Sequence, residues 1–280
     1  MIFNKIGLAI TFSPNGLSLL ISAKRLQTLF GSELFLIHVG EQNSQSENKM
    51  LELLASAGIE ENSFELFWKK GDPAKEIIKF TYENNVDLLI AGALEKESML
   101  KYYIGSVART IMRETPCSIL ILTNPVEYKP FKKFCVSVEY TDTGENAIKK
   151  AYEFAKLEGA DELVLIKEYQ IPGLAITISD TGSTLETEQK RNSWQEEEEV
   201  KLKVFANELN LSGIEVKTVC VYGKQGWAAQ NFVTKNKCDL LVVTSPRKKL
   251  RLFDRIFQHD IEFILKQLPC ALLIVKEEIS

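Results

Sequence analysis

The sequence predicts an α/β protein built from two tandem copies of one doubly wound parallel-sheet unit. Three observations support this. The chain has 280 residues, of which 45% are hydrophobic, matched blocks recur in both halves, and short apolar runs alternate with amphipathic helical stretches. Two units of about 140 residues fit the usual domain size better than a single unit. The predicted domains are residues 1–126 and 131–280.

The duplication is clearest between segments 75–93 and 227–245. Both carry a Phe, an Asn and an Asp-Leu-Leu triplet in one register, and the paired positions are Phe80 with Phe232, Asn84 with Asn236, and Asp87 with Asp239. Residues 33–38 match residues 162–167, and residues 116–122 match residues 269–275. Gly71 and Gly223 precede the two long segments at the same spacing, and all of these pairs keep the same order. Four matched blocks in one order indicate a repeat.

Within the first copy, five apolar runs predict strands, at 6–12, 34–39, 64–68, 88–91 and 119–122. They are continuous rather than alternating, as in strands that are buried on both faces. Amphipathic helices are predicted over 16–30, 73–84 and 106–113. This alternation requires right-handed crossovers and a parallel sheet, whose ligand crevice lies beyond the carboxyl ends of the strands.

The fifth strands, 118–122 and 271–275, would be exposed apolar edges if each copy stood alone. We therefore predict that they pair antiparallel within the chain, giving a monomer with pseudo-twofold symmetry. Dimerisation of that monomer stays open. The linker at 127–130 is short, so the two domains are expected to pack as one body.

The composition argues against a nucleic-acid-binding protein and against a membrane-spanning one. A net charge of −4 and a pI near 5.5 disfavour a nucleic-acid binder, which needs a basic face. No apolar run approaches 18 residues, so no membrane span is expected. The five cysteines include no Cys-x-x-Cys pair, and with no targeting signal visible they predict buried free thiols in a cytoplasmic protein.

The residues after the fourth predicted strand suggest a phosphate-binding loop. Gly92 directly follows that strand, and Gly105 precedes the helix that begins at Ser106. A glycine lets a ligand approach the backbone without a Cβ. The free N–H groups and the positive dipole end of a helix N-terminus attract phosphate. That Ser106 serves only as an N-cap is an equally open alternative.

These motifs resemble the universal stress protein domain. The resemblance rests on Asp-Leu-Leu-Ile-Ala-Gly at 87–92, Gly-Ser-Val-Ala at 105–108 and Pro-Cys-Ser-Ile-Leu-Ile-Leu at 116–122, whose spacing is similar to that family's G-x-x-G-x9-G-[ST] loop. It covers both copies. It implies a five-stranded sheet of order 3-2-1-4-5, like that of the adenine nucleotide alpha hydrolases, a cytoplasmic stress-response role, and ATP binding in one subclass.

The resemblance also implies site residues in the first copy. Val39 and Ala91 would flank the base, Thr11 stands where ATP-binding members carry an acidic residue, and the phosphates would be held by Gly92, Gly105, Ser106, Val107 and Ala108. Glu95 replaces the second loop glycine, and its charge would repel a triphosphate. Whether ATP, with Mg²⁺, or AMP still binds is therefore left open.

The second copy lacks this loop in its sequence. Residues 244–247 read Thr-Ser-Pro-Arg where the first copy has its loop glycine, and Glu139 alone retains the acidic position at the end of the first strand. A lone carboxylate cannot form a phosphate cradle, so no ATP is expected there. This copy also has a longer middle, 170–200, which is interpreted either as extra packing or as a lid over an apolar ligand or a partner.

No catalytic or metal-binding pattern accompanies these features. The chain has two histidines without a ligand cluster, no Walker loop and no nucleophile elbow, and a nucleotide hydrolase would lack a general base near Ser106. The sequence therefore predicts a binding and regulatory module rather than an enzyme, with at most a weak, slow ATPase activity. Two hypotheses compete: a switch gated by ATP or AMP in the first copy that acts on an unknown protein partner, and a nucleotide-independent module that binds a protein or small ligand.

Overall fold

In the computed structural model the described residues are 2–13, 15–96, 101–123, 129–170, 184–245, 264–265 and 267–276. The first copy alternates strands and helices as predicted. Its elements are β1 (Lys5–Ala9), α1 (Gly16–Phe30), β2 (Glu33–Val39), α2 (Ser44–Ser56), β3 (Glu65–Lys69), α3 (Pro73–Glu83), β4 (Leu88–Gly92), β5 (Leu94–Lys96), β6 (Lys101–Tyr103), α4 (Ser106–Glu114) and β7 (Ser118–Leu122).

The second copy repeats this alternation without a described counterpart of the β5–β6 pair. Its elements are β8 (Lys133–Ser137), α5 (Asp142–Glu158), β9 (Glu162–Tyr169), α6 (Thr184–Glu208), β10 (Glu215–Tyr222), α7 (Trp227–Asn236), β11 (Leu240–Thr244) and β12 (Ala271–Val275). Residues 246–263, where the degenerate loop is predicted, and 171–183, in the predicted insert, lie outside the described residues.

One continuous sheet joins the two copies. Its strand order is β10-β9-β8-β11-β12-β7-β4-β1-β2-β3. Neighbouring strands are parallel within each copy, whereas β12 and β7 are antiparallel, with Leu273 opposite Leu120. The α/β class and the antiparallel pairing of the fifth strands are confirmed. Every residue of β7 and β12 is buried, because each strand covers the apolar edge that the other would expose.

The two repeated aspartates make equivalent hydrogen bonds in the two copies. Asp87 accepts hydrogen bonds from the backbone N–H groups of Asn4 and Lys5, at 2.7 and 3.0 Å. Asp239 accepts from the backbone N–H groups of residues 132–133, both at 2.8 Å. Each aspartate thus ties the start of the fourth strand of its copy to the start of the first strand. Both carboxylates stabilise the scaffold rather than a ligand.

The repeated asparagines have an equally local role. The Asn84 side chain donates to the carbonyl of Phe80 at 3.0 Å, and the Asn236 side chain donates to the carbonyl of Phe232 at 2.9 Å. Each amide side chain therefore adds a hydrogen bond in the last helical turn, and the carbonyl of Phe80 accepts from the backbone N–H of Asn84 as well. The matched Asn positions are thus explained by how the third helix of each copy ends, and the matched Phe positions by packing of both rings in the same core.

Contacts between helices also join the copies. The guanidinium of Arg25 on α1 donates two hydrogen bonds to the carboxylate of Glu158 on α5, at 2.9 and 2.7 Å. Nearby, the rings of Phe30 and Phe154 meet edge to face with centroids 4.9 Å apart. The two copies are therefore in contact through apolar and charged groups as well as through the sheet.

The expectation of free thiols is wrong for two cysteines. Cys135 in β8 and Cys238 before β11 form a disulfide, with Cα atoms 6.5 Å apart, while Cys117, Cys220 and Cys270 are free. The bonded pair is separated by 103 residues in sequence, so spacing alone could not indicate it. The two residues become neighbours because β11 pairs with β8.

The last turns of helix α6 pack against the core. Leu202 is fully buried. Phe205, Ala206 and Leu209 pack half-buried against the same core. The interpretations of the insert as packing or as a lid stay predictions, since its apolar segment 171–178 falls outside the described residues.

Candidate functional site

The predicted nucleotide residues of the first copy meet at one edge of the sheet. β1 lies between β2 and β4, so the carboxyl ends of these three parallel strands are neighbours. Thr11 follows β1, Val39 ends β2, and Ala91 and Gly92 end β4. Thr11 is exposed and the other three are half-buried. The structure therefore brings the predicted base-flanking positions together on a surface that a ligand can reach.

Gly92 lies close against α1. A Cβ at this position would lie 2.9 Å from the Cδ1 atom of Leu19 on α1, so the leucine side chain would have to shift. The chain continues beside β7, where the N–H of Ala93 donates to the carbonyl of Leu122 at 2.9 Å. Gly92 thus lets α1 lie close to the end of β4, independently of any role toward a ligand.

Two short strands, β5 and β6, lie between the two loop glycines, and the sequence reasoning missed them. β5 and β6 pair antiparallel, with Leu94 opposite Tyr103 and the backbone of Glu95 opposite Tyr102. The aromatic pair at 102–103 favours a strand, and this was the signal available in the sequence. Glu95 therefore occupies a strand position where the family loop has a flexible glycine.

The N-terminus of α4 carries the phosphate-binding features. Gly105 is the N-cap residue and provides no side-chain cap, so the alternative that Ser106 is the N-cap is wrong. Ser106 is the first helical residue. Ser106 and Val107 are exposed, and Ala108 is half-buried against the core. The N–H groups of this first turn lack a side-chain acceptor at the N-cap and lie at the positive end of the helix dipole.

Thr11 ends in a neutral hydrogen-bonding group. Its hydroxyl donates to the Oγ atom of Ser13 at 2.9 Å and is exposed. A Cβ on Gly16 would lie 2.5 Å from the carbonyl oxygen of Thr11, which is too close for two non-bonded atoms. Glycine is therefore needed at position 16 for α1 to begin beside the end of β1. Thr11 can thus offer a ligand a hydroxyl but no charge.

His38 lies in a cluster of aromatic side chains next to the candidate site. Its Nδ1 atom is 3.1 Å from the carbonyl oxygen of Ile10. Its ring lies between those of Phe12 and Trp68, with centroid distances of 4.6 and 4.7 Å. This buried, hydrogen-bonded histidine fixes the ends of β1 and β2. Among the described residues, no group of three His, Cys, Asp or Glu side chains is placed to hold a metal ion.

The same edge of the second copy is occupied by the chain's own carboxylates. Glu168, at the position that matches Val39, accepts from the N–H groups of Gly226 and Ala229 at 3.1 and 2.7 Å. Glu139 accepts from the hydroxyl of Thr244 at 2.7 Å. Glu168 thereby satisfies the start of α7 with the negative charge that a helix N-terminus favours.

A shallow groove borders α6 near this edge. Its volume is about 350 Å³, and it is lined by Tyr140, Val200, Lys201, Val204, Phe205 and Glu208. The ammonium group of Lys167 lies 4.4 Å from the centre of the Tyr140 ring. Burial, followed by the nearby Glu198 carboxylate, raises the pKa of Tyr140, so its phenol stays neutral and can only act as a hydrogen-bonding group.

Comparison with known proteins decides the family. The model of the universal stress protein family matches residues 2–123 and 130–276, once for each copy. The chain belongs to the universal stress protein family. A universal stress protein of Methanothermobacter thermautotrophicus is 37% identical over 57 residues, which are 20% of this chain and 38% of that protein. The chain thus spans well under half the length of this curated relative.

Solved structures show the same two-copy fold. A universal stress protein from Archaeoglobus fulgidus matches 98% of both chains with a TM-score of 0.66 and 17% identity. A protein of unknown function from Pseudomonas aeruginosa covers 99% of this chain and 93% of its own, with a TM-score of 0.70 and 17% identity. At this identity the similarity establishes the fold of this universal stress protein. None of its described helices is long and apolar enough to cross a membrane.

Proposed function

We propose that the first copy of this universal stress protein binds an adenine nucleotide, ATP with Mg²⁺ or AMP, and that the second copy is its built-in partner. The observation that carries this is the first turn of α4. Its N-cap is Gly105, without a side-chain cap, and Ser106 is exposed. An uncapped helix N-terminus at the carboxyl edge of a parallel sheet is the usual place for phosphate.

The strand ends complete the proposed site. Val39 and Ala91 are half-buried apolar residues, suited to the two faces of a base. In this proposal the Thr11 hydroxyl, which is exposed at the end of β1, bonds a ribose or phosphate oxygen. Since no charged side chain of the predicted set is aimed at the phosphates, binding depends on backbone N–H groups and on the dipole of α4. We therefore expect moderate affinity.

The proposed role is regulatory rather than catalytic. None of the eight predicted site residues can act as a general base, because they are glycine, alanine, valine, serine and threonine. Occupancy of the site would bias a surface that a protein partner recognises during a cytoplasmic stress response. Turnover of nucleotide is not part of this proposal.

The nucleotide-independent alternative is favoured by one observation. Leu94, Tyr103 and Val107 are exposed by 49, 37 and 42% and lie around Gly105. Exposed apolar side chains grouped at one place often mark a protein interface. In this alternative the loop surface itself contacts the partner, and no nucleotide is needed.

Two measurements test the proposal. Freshly purified protein is denatured and any released nucleotide is identified by chromatography, and calorimetry then measures the binding of ATP and AMP. Ser106→Asp places a carboxylate at the first position of α4, where it repels phosphate but suits the helix dipole. We expect this variant to bind at least about tenfold more weakly without losing stability.

Ser44→Asp is the matched control, since Ser44 is also the first residue of a helix, α2. It should bind nucleotide as the natural chain does. If the natural chain releases no nucleotide and binds neither ATP nor AMP at millimolar concentration, the proposed function is wrong and the nucleotide-independent alternative stands. Equal loss of binding in both variants would also contradict the assignment of the phosphates to α4.

A further inference from the structure

Helix α6 carries apolar side chains on two of its sides. Leu202 is buried, and Phe205 and Ala206 pack against the same core. Val200 and Val204, by contrast, are 60 and 52% exposed. These two valines are four residues apart, so they are neighbours on one side of the helix. The solvent side of α6 therefore presents an apolar stripe in addition to the one that packs on the core.

Two aromatic side chains extend this stripe. Trp194 is 40% exposed and lies two helical turns before Lys201, which lines the groove beside α6. Tyr140 is 39% exposed and lies across the same groove from Val200 and Val204. We call these four apolar residues the α6 face. Exposed apolar side chains that are grouped in this way mark an interaction surface.

The exposed valines are not explained by the stability of the helix itself. A β-branched side chain loses rotamer freedom in a helix, so valine is a weaker helix former than alanine, glutamate or lysine. At an exposed position it also leaves apolar area in water. Packing of α6 on the core is already provided by Leu202 and its neighbours. A contact with another molecule accounts for valine at both positions.

The charges around the α6 face select the kind of partner. Residues 192–208 contain five glutamates and two lysines, so their formal net charge is −3. Lys201 is already paired, with Glu197 at 2.7 Å and Glu198 at 3.2 Å. On the other wall of the groove, the ammonium group of Lys167 lies over the Tyr140 ring. The border of the stripe is therefore acidic.

This acidic border disfavours two of the possible occupants. A second copy of the chain would bring the same acidic face against it, and like charges across an interface are repulsive. A membrane surface that carries anionic lipids attracts basic segments rather than acidic ones. A partner with lysine or arginine beside its apolar residues fits both the stripe and the charge.

We propose that the α6 face binds an amphipathic helix of a partner protein. The apolar side of that helix packs on Val200 and Val204, and its flanking lysine or arginine side chains meet the glutamates of α6. An apolar helix side laid along a hydrophobic groove is a recurring mode of recognition. The α6 face belongs to the second copy, so this inference does not rest on the nucleotide site proposed for the first.

A synthetic peptide tests the proposal on the full-length chain. A labelled helical peptide of about 15 residues matches the length of the α6 face between Trp194 and Glu208. It carries a leucine stripe flanked by lysines, and a matched peptide carries glutamates in place of the lysines. Fluorescence anisotropy at low salt should show at least about tenfold tighter binding of the lysine peptide. Added salt should reduce this difference.

A double variant tests whether the valines form the contact. Val200→Ser combined with Val204→Ser should weaken binding of the lysine peptide at least about tenfold. The urea midpoint should stay unchanged, because both side chains are exposed and serine and valine have similar helix propensities. Leu51→Ser is the control, since Leu51 is 59% exposed and lies on α2, the helix of the first copy that also follows the second strand. It should bind the lysine peptide as the natural chain does.

Several outcomes would overturn the proposal. It is wrong if the lysine peptide does not bind, if the double variant binds it as tightly as the natural chain, or if the glutamate peptide binds equally well. A dimer in analytical ultracentrifugation that the double variant loses would make a second copy the occupant. Binding to phosphatidylserine vesicles that the double variant loses would make it a membrane. A lower urea midpoint of the double variant would show that the chain itself covers the α6 face.

The nucleotide proposal is scored separately. Calorimetry with ATP should give the same affinity for the natural chain and for the double variant, because the α6 face and the candidate nucleotide site lie in different copies. Failure of ATP to bind would leave the peptide result standing, and failure of the peptide to bind would leave the ATP result standing.

Discussion

Replacing Glu158 with alanine should weaken the contact between the two copies, and it should lower stability more than replacing an exposed glutamate on the same helix. The Glu158 side chain is 2% exposed and accepts both hydrogen bonds of the Arg25 guanidinium, whose side chain is 18% exposed. The geometry is bidentate, the form in which arginine pairs most strongly with a carboxylate. The pair joins α1 of the first copy to α5 of the second.

The magnitude follows from burial. Removing one partner of a buried pair leaves the other charge uncompensated, which costs about 3–5 kcal/mol. Arg25 keeps some contact with water, so solvent can stabilise its charge in part. We therefore expect Glu158→Ala to lower the free energy of unfolding by about 3 kcal/mol, at the lower end of that range.

Urea unfolding at pH 7, followed by circular dichroism, measures this change. Glu145→Ala is the control on the same helix, since Glu145 pairs with Lys149 one turn away and their side chains are 39 and 56% exposed. An exposed pair of this kind contributes less than about 0.5 kcal/mol. If Glu158→Ala and the control agree within that amount, the ion pair does not stabilise the contact and the reasoning is wrong.

Three further outcomes are expected. Glu168→Gln should lower the thermal midpoint, because a neutral amide replaces the carboxylate that caps α7. The pKa of Glu162 is lowered by hydrogen bonds from two lysines, so its contribution is present above the unfolded-state pKa and lost as pH falls through the folded-state pKa. The stability advantage over Glu162→Gln should accordingly shrink from pH 7 to pH 3 in urea titrations. Alkylation in denaturant without reductant should modify three thiols, and five after reduction, because Cys135 and Cys238 are bonded; five without reductant would contradict the disulfide.

Much of the fold could be predicted because its signals are local or repeated. The observed bounds of α1, Gly16–Phe30, agree with the prediction, since its apolar spacing and the αL glycine at its end act within a few residues. The pairing of β7 with β12 followed from a physical rule, that an apolar edge must be covered. Both arguments needed only sequence.

The missed features depend on contacts between distant segments. Helix α2 has only two buried residues, Met50 and Leu54, so its apolar stripe is too thin for a periodicity argument. The β5–β6 pair is fastened by Leu268, which is far away in sequence. The disulfide likewise joins residues that only the folded sheet brings together.

The two copies differ where a ligand would bind and agree where the scaffold is held. Asp87 and Asp239 make the same backbone bonds in each copy. At the carboxyl edge, by contrast, Glu168 replaces the half-buried Val39, and its charge neutralises the start of α7. The equivalent helix of the first copy, α3, also begins at a carboxylate, since Asp72 accepts from the N–H of Lys75 at 3.0 Å. The third helices therefore do not distinguish the copies. The end of the second strand does: Val39 offers a base an apolar side chain in the first copy, whereas Glu168 places an anion there in the second, and an anion repels a phosphate.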